Sequence, residues 1–200
     1  VGEDAHRVAA LLDLGGPDRL ADGAADLVDV DAAIWACTSG SFVFGWDGAR
    51  AQVEPLARQL GVPASSTSFA FVHAIRSLDL ERVAVAATYP ADVTQAFVDF
   101  LGAAGIEVVA SGAQDIITAT EVGTLGPDRV VEFVTSGDHP DAQAVLVPDT
   151  ALHSAGVVAD LEERLGKPVL TANIVTMWEA LRLAGVVDDT RAEGLGSLFA

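Results

Sequence analysis

Short apolar runs rich in Val, Ala and Ile alternate along this chain with longer segments of helical period. Residues Ala32–Ala36 read as a buried strand and Gln52–Leu60 as a helix that stops at Gly61. An extended piece near Val62–Ser65 precedes a helix over Phe69–Leu78. The clearest strand is Arg82–Ala87, which leads through Thr88-Tyr89-Pro90 into a helix over Ala91–Ala104. The pattern continues as strand Ile106–Ala110, helix Pro127–Thr135 and strand Ala144–Val147. It closes with helix Ser154–Leu165, strand Pro168–Thr171 and helix Ile174–Ala184. Strands alternating with helices of this length imply parallel sheets joined by crossover helices. The strands are apolar throughout rather than at every second position, so both sheet faces are expected to be covered.

Within this pattern lies a weak internal repeat. A-R-Q-L-G-V-P-A-S-S-T (57–67), running into H-A-I-R-S-L (73–78), resembles E-E-R-L-G-K-P-V-L-T-A-N (162–173), running into W-E-A-L-R-L-A-G (178–185). Each is preceded by an apolar strand ending in a polar cluster, Cys37-Thr38-Ser39-Gly40-Ser41 in one case and Asp149-Thr150 in the other. Gly and Pro are common at helix stops, so L-G-x-P alone means little. The matching order of four elements favours duplication. Two similar lobes facing each other would bring both polar clusters to one cleft.

Composition narrows the function classes. The 200 residues suffice for one domain or two small lobes, and half of them are apolar. A chain of this size can bury a core without a disulfide or metal staple. No apolar run approaches the ~18–20 residues of a membrane span, and the N-terminus lacks the form of a signal peptide. A single cysteine excludes an internal disulfide framework and a Cys-rich zinc site. A cytoplasmic globular protein is expected, with no membrane partner. A formal net charge of -18, with one lysine (Lys167), argues against nucleic acid. It would also repel an anionic ligand at long range, so a site for one must be locally electropositive.

Cys37 follows an apolar strand and precedes a run of small residues, where α/β proteins place their ligand sites. Backbone N–H groups from Thr38 to Ser41 would form an anion-binding nest there and pull the thiol below the ~8.5 of a free cysteine. The plainer alternative is a small buried hydrophobe. Asp149, at the matching place in the second unit, is either an acid–base group or a cap for the following helix. To act as an acid near neutrality it needs desolvation or a neighbouring carboxylate. His153 reads as a surface or first-turn histidine that could pair with it. Trp35 and Trp178 fall inside apolar patterns and read as core. Ser39 and Ser41 have no Asp–His partners ordered around them as a hydrolase triad requires. The sequence has no G-x-G-x-x-G, Walker loop or metal-ligand cluster, so no cofactor is expected.

From about Ala32 to Gly185 the chain resembles the aspartate/glutamate racemase superfamily, in its maleate isomerase and arylmalonate decarboxylase branch. A-C-T-S-G-S after an apolar strand is similar to the branch's first-cysteine motif, and P-V-L-T-A-N…W-E-A-L-R-L-A-G to its C-terminal segment. The resemblance implies two pseudo-symmetric flavodoxin-like α/β lobes, each a parallel sheet flanked by helices, with the active site in the cleft between them. Residues 1–80 with 174–200 would form the first lobe and 81–173 the second. It implies a cofactor-independent isomerase or racemase acting through the Cys37 thiolate on a small carboxylic acid, in a homo-oligomer. An arylmalonate-type decarboxylase and a non-catalytic acid-binding relative are the alternatives. Substrate carboxylates would meet Thr38, Ser39, Thr88, Tyr89, Thr150 and Asn173, with Asp149 acting on the face opposite Cys37.

The chain departs from the family pattern in three places. Thr88-Tyr89-Pro90 stands where relatives have Thr-Pro-Tyr, displacing the tyrosine by one position. Relatives open with a strand and a Pro-Ser-Ser-Asn-type loop, whereas here a helix is expected around Arg7–Leu12. Finally, Asp149 occupies roughly the place of the second cysteine of isomerases and racemases. The decarboxylases keep that second cysteine and lose the first.

Overall fold

The computed structural model describes residues 5–187 and 190–200. Its two sheets are both parallel. The smaller pairs β1 (Ala33–Trp35) with β2 (Ala64–Ser66), and the larger has the order β4-β3-β5-β6. In the larger sheet β3 is Arg82–Ala87, β4 is Glu107–Ala113, β5 is Ala144–Val147 and β6 is Val169–Thr171. Every residue of β5 and β6 is buried, as uninterrupted apolar strands require, whereas the edge strand β4 is half exposed.

The helices are α1 (Val8–Leu14), α2 (Pro17–Ala24), α3 (Ser39–Phe42), α4 (Gly45–Leu60), α5 (Thr67–Ser77) and α6 (Ala91–Ala103). They continue with α7 (Ala119–Val122), α8 (Pro127–Ser136), α9 (Val158–Leu165) and α10 (Ala172–Leu183). The helix expected around Arg7–Leu12 is α1, and among the described residues no strand precedes β1. The sequence pattern did not reveal α2, α3, α7 or the first seven residues of α4, Gly45–Ala51. The segment Ser154–Leu165 divides into a 3-10 turn at Ala155–Val157 and α9.

The repeated L-G-x-P has a physical basis. Gly61 and Gly166 end α4 and α9 at φ of 70° and 66°, left-handed values that a side chain resists. Each glycine turns the chain into a strand, β2 or β6, and each strand runs directly into a helix, α5 or α10. The registers match too. Trp35 pairs with Ser66 and Val147 with Thr171, so Cys37 and Asp149 each stand just beyond the end of the first strand of an equivalent pair.

Helix α10 packs along α5 and also touches β1, β2 and β6, tying the two sheets together. The contact contains a buried charge. Glu179 is fully buried, accepts from His73 Nδ1 at 2.8 Å, and is gripped by Arg182 through Nε at 2.7 Å and an Nη at 2.9 Å. Burial opposes ionisation of this carboxyl most strongly. The opposing pull of His73 and Arg182 wins and holds it at about 2. Trp178 is buried in the main core, as expected. Trp35 is only partly buried and packs on a small separate cluster of Leu20, Ala24 and Leu56. Among the described residues no helix is long and apolar enough to cross a membrane.

Candidate active site

The loop after β1 is short because α3 begins almost at once. Cys37 lies between strand and helix, and its sulfur accepts the Gly40 N–H at 3.3 Å, with the Ser39 hydroxyl 4.0 Å away. Glutamine 52 fixes this loop from behind. Its buried Nε2 donates to Gly40 O at 2.8 Å and to Gly15 O at 2.9 Å, joining α4, the α1–α2 corner and the cysteine loop. The approach is close enough that a Cβ on Gly15 would stand 2.2 Å from Gly40 O.

Two expectations about this loop are corrected. The run of free N–H groups from Thr38 to Ser41 is shortened, because Gly40 donates to the thiol and Ser41 donates to Thr38 O. The thiol is also raised rather than lowered. Cys37 is partly exposed as a residue, but the protein packed around its sulfur disfavours charge. That burial outweighs the Gly40 and Ser39 hydrogen bonds, and the Asp149 charge pushes the same way.

Asp149 is buried at the end of β5. Its Oδ2 accepts the Thr88 hydroxyl, and its Oδ1 accepts the Ala151 N–H at 2.9 Å. The latter is a tight local turn well before α9, so Asp149 does not cap that helix. The influence of Asp149 on Cys37, and of both on Tyr89, shows that the three groups lie within electrostatic reach of one another.

Tyr89 donates to Pro148 O at 2.9 Å and is almost wholly enclosed. Burial drives its phenol far up, reinforced by Asp149 and Cys37 and opposed by the Ser39 and Thr38 hydroxyls beside it. The displaced tyrosine of Thr88-Tyr89-Pro90 therefore still reaches the cluster.

The structure thus brings together Cys37, Thr38, Ser39, Thr88, Tyr89 and Asp149. Thr150 is only partly buried and makes no hydrogen bond to Cys37 among the described residues. Asn173 is exposed, and its amide donates to Leu152 O at 3.3 Å, bracing the loop after Asp149. His153 is exposed and is not the histidine beside Asp149. That histidine is His6, whose Nε2 lies 3.8 Å from Asp149 Oδ2. Thr171, at the end of β6, was also not anticipated. Its buried hydroxyl has no hydrogen-bond partner among the described residues, and neither does that of Thr38. Such orphans cost about 1–3 kcal/mol each unless a ligand meets them. The sequence signal for Thr171 was its place in the repeat, opposite Ser66.

Parallel α/β sheets with polar groups gathered beyond strand ends define a two-sheet α/β protein whose candidate site is built from loops after β1, β3 and β5. Comparison with known proteins then gives the family. The arylmalonate decarboxylase family matches residues 17–199, and the chain belongs to it. Arylmalonate decarboxylase of Bordetella bronchiseptica is 30% identical over 166 residues, covering 81% of this chain and 68% of that protein. Maleate isomerase of Alcaligenes faecalis is 27% identical over 139 residues, 69% of this chain and 54% of its own. The chain thus spans about half the length of that isomerase.

Among solved structures, a liganded mutant of arylmalonate decarboxylase superposes with a TM-score of 0.90 at 23% identity, covering 99% of this chain and 85% of its own. A maleate isomerase from Pseudomonas putida with bound maleate gives 0.88 at 24%, covering 98% and 80%. These two likenesses establish the fold.

Proposed function

We propose that this protein is a cofactor-independent enzyme of the isomerase kind that acts on a small carboxylic acid by adding Cys37 to an activated double bond. The observation that carries this reading is the juxtaposition of the single cysteine with Asp149, Thr88 and Tyr89 at the ends of parallel strands. A Nocardia farcinica maleate cis-trans isomerase of the same fold has been solved with a covalently bound succinylcysteine intermediate, at 22% identity and a TM-score of 0.85. In chemistry of that type the thiolate is the nucleophile, so the Cys37 thiol must give up its proton as it attacks. Sulfur bonds to one alkene carbon, the π pair moves to the other, and that carbon receives a proton, so S–H has added across the double bond. Rotation about the resulting single bond and elimination then release the trans acid. The Thr38 and Thr171 hydroxyls, both buried and without a hydrogen bond of ordinary geometry among the described residues, are donors suited to the extra charge on a substrate carboxylate.

Decarboxylation is the second reading, and the raised thiol specifically favours it. A neutral Cys37 could hand a proton to the enediolate left when carbon dioxide departs. Separate incubations with maleate and phenylmalonate distinguish the two. Fumarate from maleate, with a transient protein adduct one maleic acid heavier, supports the isomerase. Phenylacetate from phenylmalonate supports the decarboxylase. Binding of either acid with no product in any assay would leave only a small-acid-binding protein.

A further inference from the structure

His6 lies at the heart of the site although it precedes every strand among the described residues. It is 5% exposed, sits edge-on to the Tyr89 ring at a centroid distance of 4.8 Å, and points Nε2 at Asp149 Oδ2 across 3.8 Å. Its position is fixed at both backbone and ring. Ala5 bridges to Thr118, the His6 N–H donates to Ile117 O, and ring Nδ1 lies 3.3 Å from Ile116 O. The same Ile116 donates its N–H to Thr88 O at 3.0 Å, and Thr88 in turn donates to Asp149. One residue, Ile116, therefore positions both of the side chains that meet Asp149 Oδ2.

A carbonyl accepts but cannot donate, so the Ile116 contact requires the Nδ1 proton to stay in place. The nitrogen free to gain or lose a proton is then Nε2, which faces the carboxyl. The groups facing the carboxyl are His6 from the N-terminal segment, Thr88 and Tyr89 from the β3 turn, Ala151 N–H from its own loop, and Cys37 within electrostatic range.

We propose that His6 is a positioning and relay residue for Asp149, the two acting as one proton-exchanging pair on the side of the site opposite Cys37. This rests on the isomerase reading above. When sulfur bonds to the alkene, the Cys37 S–H bond breaks, its electron pair stays on sulfur and its proton passes to the Asp149 carboxylate. Asp149 exchanges that proton with His6 Nε2 and delivers one to the adjacent carbon, where the π pair becomes the C–H bond. The pair ends with the protons it began with, and elimination runs the same transfers backwards. A gap of 3.8 Å closes by about 1 Å in this transfer, the kind of tightening that acid–base pairs undergo when substrate binds.

The test has one arm that needs no substrate. Side-chain 15N NMR of the whole chain should show His6 as the Nδ1–H tautomer in its neutral form, with an Nε2 resonance that shifts in Asp149→Asn. An Nε2–H tautomer, or His6 signals identical in both proteins, would overturn the pair. The second arm follows deuterium from heavy water into fumarate and unreacted maleate. His6→Phe keeps a ring against Tyr89 and should lower kcat and deuterium uptake at least about tenfold with KM nearly unchanged. Uptake at the wild-type rate in a folded His6→Phe protein would equally overturn the relay. If the wild type leaves maleate unchanged, the isomerase reading fails, and the NMR arm still decides whether the pair exists.

Discussion

At Cys37 two effects oppose each other, and burial is the stronger. The Gly40 N–H and Ser39 hydroxyl favour thiolate, while the packed surroundings and the Asp149 charge favour thiol. Alkylation of Cys37 in the free protein should therefore reach half its maximal rate at a pH above that of an ordinary thiol. In Asp149→Asn that midpoint should fall, because one source of the upward shift is gone. A midpoint below that of free cysteine would return the loop to the anion-nest picture drawn from sequence. Asp149→Asn should also slow turnover by roughly 10²–10⁴, the usual share of general acid–base catalysis, whereas a purely local turn role would cost little rate. Asp149→Cys would place a second thiol opposite Cys37, the arrangement the family resemblance implies for isomerases, and should recover part of that loss. The candidates Cys37 and Asp149 were legible because each follows an apolar strand in a repeated unit. It did not reveal His6, whose partner lies far along the chain and whose own surroundings carry no strand or motif. The direction of the thiol shift was equally hidden, since packing around one sulfur is a property of the assembled fold.

At the scale of elements, the strands and the repeat-marked helices were legible, and the structure keeps Arg82–Ala87 and Ala144–Val147 at their expected bounds. The missed pieces share a cause. Helix α2 carries Gly23, and the first half of α4 carries Gly45 and Gly48 with Pro55 further on, so local propensity argued against helices that tertiary packing stabilises. Two contacts between elements carry predictions. Gln52→Leu leaves the carbonyls of Gly15 and Gly40 without their shared donor and should cost about 1–3 kcal/mol in denaturant unfolding. Gly15→Ala should cost a similar ~1–3 kcal/mol by overpacking against Gly40 O.

Glu179 supplies a pH dependence. Its folded value of about 2 lies below the ordinary 4.5, so its stabilisation is complete above the ordinary value and is lost as pH falls toward the folded one. His73 and Arg182 are each about a third exposed, which limits the effect to roughly 2 kcal/mol. Glu179→Gln should flatten this acid limb of the unfolding curve. An unchanged limb would mean that another carboxylate dominates it.

For the whole molecule, charge and site pull against each other. A net charge of -18 repels a dicarboxylate during approach, yet the proposed contacts are the neutral Thr38 and Thr171 hydroxyls. Added salt screens the long-range repulsion far more than the short contacts, so KM for maleate should fall as ionic strength rises toward about 0.15 M. A rising KM would point instead to a cationic binding group. The central claim is that chemistry runs through Cys37, and its most direct test is turnover of the accepted acid by Cys37→Ala beside the wild type. A small residue after β1 leaves the fold intact, which circular dichroism would verify. The account predicts a loss of at least about 10²-fold in kcat, and a folded Cys37→Ala protein working at the wild-type rate would contradict it.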